Sequence, residues 1–154
     1  MTRPPLLLDA NLLVLAIVGQ TNPAYVGRHK RLSEYSLKDF ELLTDRLAGL
    51  DVRVTPNTLT EASNLLRQGL WDEARLEVMD TLRAVAGALR EESVPSAKAV
   101  VGEVFLRLGL TDSVLLGLAA GGFALLTADR DLYLAAAAIA PDRTVLFAAL
   151  READ

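Results

Sequence analysis

Apolar positions along the chain fall into two patterns: short unbroken runs, and stripes spaced by three and four. Leu6–Leu8 is too short to show alternation and predicts a buried strand. From Asn11 the run LLVLAIV leads to Gly19 and predicts a buried helix with a glycine terminator. Residues 20–35 are polar and irregular. Ser36 opens a clear helix, because Asp39 stands at capping-box spacing and Leu37, Phe40, Leu43 and Leu47 make one apolar face. DVRVT, residues 51–55, predicts a second strand, and TLTEASNLLRQ a helix stopped by Gly69. Trp71, Ala74, Val78, Leu82, Val85 and Leu89 mark the longest helix, running to about Glu92.

Val94-Pro95-Ser96 breaks that helix, and Ala97–Leu108 is expected to resume it. TDSVLLGLAA predicts a helix after a turn at Gly109. Gly121-Gly122 then leads to a third strand, FALLT, and a helix, DLYLAAAAIA. Pro141-Asp142 makes a turn before a last strand, TVLF, and a polar terminal helix. Short apolar strands alternating with helices predict an α/β sandwich with a mainly parallel sheet. No linker divides the 154 residues, so one domain is expected.

Composition narrows the chemistry. Half of the residues are hydrophobic and 23% charged, as in globular chains. Without cysteine there are no disulfides, zinc thiolates or thiol nucleophiles. His29 is the single histidine, which excludes a site built on two imidazoles, and no G-x-S-x-G elbow supports a serine nucleophile. The longest apolar run, VLLGLAAGGFALL, is shorter than the roughly 18–20 residues of a membrane span. Asp9 and Asn11 interrupt what would otherwise resemble a signal peptide, so a cytoplasmic protein is expected, with no membrane partner.

Four acids stand at the junctions where strands meet helices. Asp9 follows the first strand, and Glu61 is expected in the first turn of the helix after the second. Asp112 begins the helix before the third strand, and Asp129 follows that strand. In an open parallel sheet, ligands bind beyond the carboxyl ends of the strands. Four bare carboxylates there would repel, at about 3 kcal/mol for a pair roughly 5 Å apart at an effective dielectric of about 20. Mg²⁺ or Mn²⁺ would relieve the conflict and could activate water towards a phosphodiester. Helix capping accounts for the same positions: Asp9 and Asp129 as N-caps, Thr58 with Glu61 as a capping box, and Thr111-Asp112 as a helix start. Spacing alone leaves both readings open. The net charge of −4 argues mildly against a broad nucleic-acid surface, but setting four acids aside leaves equal numbers of acids and bases.

LLLDANLLV, TPNTLTEASNLL, LGLTDSVLLGLAA and FALLTADRDL, in that order, resemble the PIN-domain nucleases, the VapC-like toxins among them. The resemblance covers most of the chain and implies a single PIN-like domain over residues 1–154, a three-layer α/β/α sandwich with a central, mainly parallel sheet. It implies a Mg²⁺- or Mn²⁺-dependent endoribonuclease that leaves a 5′-phosphate. Asp9, Glu61 and Asp112 would be the core metal ligands and Asp129 the fourth acid. Asp131 competes for that last place but is expected on the following helix. Asn11 and Thr127 would orient carboxylates or water, or else serve as helix-start hydrogen bonders. RNA is the implied substrate, with an antitoxin and a second copy of the chain as partners the resemblance admits.

The departure from the family lies in residues 20–50, where compact toxins carry a short helical pair and this chain has the polar GRHKRL segment. Arg28, Lys30 and Arg31 there are candidates for RNA phosphates, or for an ordinary solvated basic loop. Two rivals remain. One is a catalytically silent PIN-like interaction module. The other is a phosphotransferase or topoisomerase-like acidic site at the Asp129 and Asp131 pair, weakened because the first strand offers a lone Asp9 and no glutamate.

Overall fold

The structure is a computed structural model and describes residues 2–153. Its strands are β1 (Leu6–Leu8), β2 (Val52–Val54), β3 (Arg90–Glu91), β4 (Ala124–Thr127) and β5 (Thr144–Leu146). They form one sheet in the order β3-β2-β1-β4-β5, parallel at every pairing. The class is α/β, consistent with the three-layer α/β/α sandwich that the alternation of strands and helices leads one to expect. No helix among the described residues is long and apolar enough to cross a membrane.

The chain divides into two compact units. The first comprises residues up to Asp9, Gly49–Thr58, and the chain from Arg90 onward. It holds the sheet and the helices α5 (Ser96–Ala99), α6 (Val104–Leu108), α7 (Leu110–Ala120), α8 (Arg130–Ile139) and α9 (Phe147–Ala153). The second comprises Ala10–Ala48 and Leu59–Leu89, with α1 (Ala10–Thr21), α2 (Leu37–Leu47) and α4 (Asp72–Ala88). Helix α3 (Pro56–Gly69) starts in the first unit and continues into the second.

In the sheet unit, β1 is central, flanked by β2 and β4, and all three of its leucines are buried. A parallel strand covered on both faces reads as a continuous apolar run, which is why it shows no alternation. Leu7, Leu125, Leu115, Leu132 and Ala136 form one buried cluster that ties β1 and β4 to α7 and α8. At the β3 edge, Arg53 pairs with Asp51 at 2.8 Å and with Glu92 at 2.6 Å. The Arg53 hydrogen bonds hold the Asp51 carboxyl below its ordinary pKa, and the two acids raise that of the guanidinium.

The capping box at Ser36 forms as expected: Asp39 N–H donates to Ser36 Oγ, and Ser36 N–H donates to Asp39 Oδ2. Leu43 on the predicted face is buried, whereas Leu37 is exposed. Three expectations need correction. Helix α1 does not stop at Gly19 but runs on to Thr21, because Gly19 is the floor on which the Phe40 ring of α2 rests. The longest helix ends at Ala88, and the chain beyond it turns into the two-residue edge strand β3. Ala97–Leu108 is not one helix: α5 and α6 are separated by Val100–Glu103, with Gly102 between them.

Gly69 does end α3, and the His29 imidazole packs against its α-carbon. A methyl there would be driven into a buried ring, so Gly69→Ala should destabilise the protein by about 1–3 kcal/mol in urea unfolding. Gly87 near the end of α4 faces open space. Gly87→Ala should instead raise stability by up to about 1 kcal/mol, because alanine is the better helix former.

Candidate functional site

The sheet winds outwards in two directions from its middle. From β1 the chain steps to β2 and then β3 on one side, and β4 and β5 lie on the other. The order therefore reverses between β1 and β4, where open parallel sheets bind ligands beyond the strand ends. Asp9 stands at that point, directly after β1, with its backbone N–H continuing the ladder to Leu126 O at 3.4 Å.

Asp9 is 5% exposed, and its carboxylate is held from β4. Oδ2 accepts the Thr127 hydroxyl and the Ala128 N–H, the latter at 2.7 Å. Thr127, itself fully buried, accepts the Asp129 N–H on the same hydroxyl oxygen at 3.0 Å. Asp129 Oδ1 in turn accepts the Leu132 N–H at 3.0 Å and caps α8. A single chain of hydrogen bonds thus runs from the end of β1, through the end of β4, into the first turn of α8. Charge-assisted bonds of this kind compensate the loss of water around a buried carboxylate.

Asp112 is half-buried in the first turn of α7, after Gly109 with φ 85°. It lies one turn before Leu115, so both face the same way, and Leu115 packs on Leu7, Leu125 and Leu132. Since α7 leads through Gly121-Gly122 into the start of β4, its own start lies towards the strand ends that carry Asp9 and Thr127. Asp131 sits on α8, as expected, and is exposed.

Of the predicted residues, the structure joins Asp9, Thr127 and Asp129 by direct hydrogen bonds. Glu61 and Asn11 belong to the helical unit, and both are exposed. Helix α3 starts earlier than its spacing suggests. Pro56 takes the first helical position, and Thr55 Oγ1 caps the helix by accepting the Thr58 N–H at 3.0 Å. Thr58 and Glu61 are therefore not a capping box, and Glu61 lies in the second turn. Among the described residues, no three acidic or histidine side chains come close enough together to hold a metal ion by themselves.

The basic segment folds into two 3-10 turns, Pro23–Tyr25 and Lys30–Leu32, around a buried His29. His29 Nδ1 accepts the Arg31 N–H at 3.1 Å, so the neutral ring carries its proton on Nε2 and donates it to Leu66 O at 3.3 Å. Burial pushes the imidazole pKa below its ordinary value, with the Arg31 charge acting in the same sense and the Leu66 carbonyl opposing. Arg28 lies over the Tyr25 ring at 5.1 Å, Arg31 donates to Gln68 at 2.9 Å, and Lys30 is exposed. The structural roles of His29 and Thr55 are missed by sequence reasoning; Thr55-Pro56 was the signal for the second.

Thr127→Val removes a hydroxyl that serves both Asp9 and the Asp129 backbone while keeping its shape. It should cost about 1–3 kcal/mol in urea unfolding, because the Asp9 carboxylate stays buried with a donor missing. The His29 pKa is lower in the folded than in the unfolded chain, where it stands near 6.5. Its contribution is full above that value and is lost as pH falls through it and through the lower folded value. Stability should therefore decline between about pH 7.5 and 5, with a shallower decline in His29→Gln. No family model and no curated protein matches the chain, so function must be argued from the chemistry of this corner.

Proposed function

We propose that the chain is an endoribonuclease of the PIN kind, dependent on Mg²⁺ or Mn²⁺, with Asp9, Asp112 and Asp129 as the acids its sheet unit supplies. The observation that carries this reading is the Asp9 carboxylate, buried where the strand order reverses and held by donors from β4. A dinucleotide site at such a point needs a glycine-rich turn after the first strand. Here β1 and α1 are joined by Asp9 alone, which leaves no loop to cradle a pyrophosphate. The acidic residue itself is what the crevice offers.

The donors present suit a hard cation. They are all oxygen, and Mg²⁺ typically takes one or two carboxylates while keeping several waters, so a closed cage of three acids is not required. When bound, such an ion would activate water and neutralise charge growing on the phosphodiester. The work of the chain itself is positional. Thr127 and Ala128 fix the orientation of the Asp9 carboxylate, and the α8 cap fixes Asp129. Glu61, exposed on α3, is the remaining acid that the resemblance implies as a ligand. An antitoxin-neutralised toxin is the narrower form of the same proposal.

A second reading, the catalytically silent interaction module, is favoured by one observation: Asp129 already spends one carboxylate oxygen on the α8 cap. Cleavage of a 5′-labelled single-stranded RNA panel separates the two. The nuclease requires Mg²⁺- or Mn²⁺-dependent products that chelation abolishes and that Asp9→Asn and Asp112→Asn lose while still folded. Thr127→Val should retain cleavage reduced by about 10–100-fold, as expected when a ligand's hydrogen-bond partner is removed. Glu61→Gln reports separately on whether α3 contributes. A wild-type chain that neither binds Mn²⁺ by calorimetry nor cleaves any RNA in the panel is the silent module.

A further inference from the structure

By its spacing Trp71 belongs to the apolar stripe of α4, yet it is 70% exposed in the structure. Arg75 lies over its ring at 5.2 Å and covers one face; a residue this exposed keeps the other face free. Beside the indole lies a cavity of about 540 Å³, within the range of small-ligand sites, and every residue that lines it belongs to the helical unit. Its charges are mixed. Arg28, over the Tyr25 ring at 5.1 Å, has no ion-pair partner among the described residues, and Asp72 and Glu73 at the start of α4 have none either. Glu77, the third carboxylate, accepts the Tyr25 hydroxyl at 3.0 Å.

An open aromatic face with an unpaired guanidinium in the same cavity suits single-stranded nucleic acid, whose bases stack and whose phosphates seek cations. Lys30 and Arg31, exposed on the same segment as Arg28, extend the positive charge. The two free carboxylates repel phosphate but accept hydrogen bonds from base edges. Guanine offers N1–H and its N2 amino group side by side, two donors that match the two oxygens of one carboxylate. Uracil offers a single N–H between two carbonyls, which a carboxylate repels.

We propose that this cavity takes one guanosine of a single-stranded RNA. The base stacks on Trp71, Asp72 and Glu73 accept from its N1–H and N2 amino group, and Arg28 pairs with an adjoining phosphate. RNA as the ligand rests on the nuclease reading, whereas the site shares no residue with the acidic corner. It selects unpaired guanosines, because in a duplex both the base face and the Watson–Crick edge are occupied.

Trp71 is the single tryptophan, so tryptophan fluorescence reports from this site alone. The full-length protein is titrated in EDTA, where metal-dependent cleavage is off, with a uridine octamer, the same octamer carrying one central guanosine, and GMP. The guanosine octamer should quench saturably and bind about tenfold tighter than the uridine octamer. With fluorescein-labelled RNA and anisotropy as the readout, Trp71→Ala should bind at least about tenfold more weakly. Asp72→Asn combined with Glu73→Gln should abolish the guanosine preference. The ratio is the readout there, since removing two negative charges raises affinity for every RNA. Asparagine suits the left-handed φ of 52° at Asp72, so this variant should fold. The proposal is overturned if neither octamer quenches, if the two bind alike, or if GMP binds as tightly as the guanosine octamer. It is equally overturned if Trp71→Ala binds like the wild type or the preference survives loss of both carboxylates. Quenching by the guanosine octamer without Mg²⁺- or Mn²⁺-dependent cleavage sinks the nuclease reading and leaves this site standing; cleavage without quenching does the reverse.

Discussion

The rest of the sheet unit depends on burying one negative charge. Asp9 lies at the end of the central strand, where water is nearly excluded, and its carboxylate needs donors from close by. The donors come from the neighbouring strand, as the Thr127 hydroxyl and the Ala128 N–H. That requirement fixes more than one side chain. Thr127 must point inward at the end of β4, the turn after it must present an amide, and Asp129 must then fall where it can cap α8. Leu132 and Ala136 follow from the placing of α8, and they meet Leu7 and Leu125 in the core directly beneath.

Much of this architecture was legible in the sequence, for reasons that differ from one element to the next. The strand at Leu6–Leu8 and the helix from Ser36 were readable because each rests on local physics: an uninterrupted apolar run in one case, and a reciprocal pair of cap bonds in the other. Gly19 misled because a glycine has two uses, ending a helix or admitting a neighbour, and the Phe40 ring that decides between them is 21 residues away. Strand β3 was invisible because two exposed, charged residues carry no apolar signal. Arg90 and Glu91 become a strand only because β2 offers an edge to pair with.

The candidate site was legible to the same degree. An aspartate inside LLLDANLLV stood out because the run around it is mostly aliphatic, and Asp9 is indeed buried. Thr127 was readable as its companion, whereas the Ala128 amide was not, since a backbone donor leaves no trace in residue identity. Asp129 shows why spacing could not choose between cap and ligand: in the structure it caps α8 and touches the Asp9 network at once. The Thr55-Pro56 start of α3 was the one local signal passed over, and it moved Glu61 by a turn.

The edges of the sheet carry a further consequence. On one side the last strand is only Arg90–Glu91, both exposed and of opposite charge. On the other, Thr144–Leu146 passes directly into α9 at Phe147. Edges so short give an incoming chain few amides to zip onto, and at Arg90–Glu91 the charges add a desolvation cost for trying. Strand addition is thereby disfavoured at both edges, for a partner and for the protein's own unfolded copies alike.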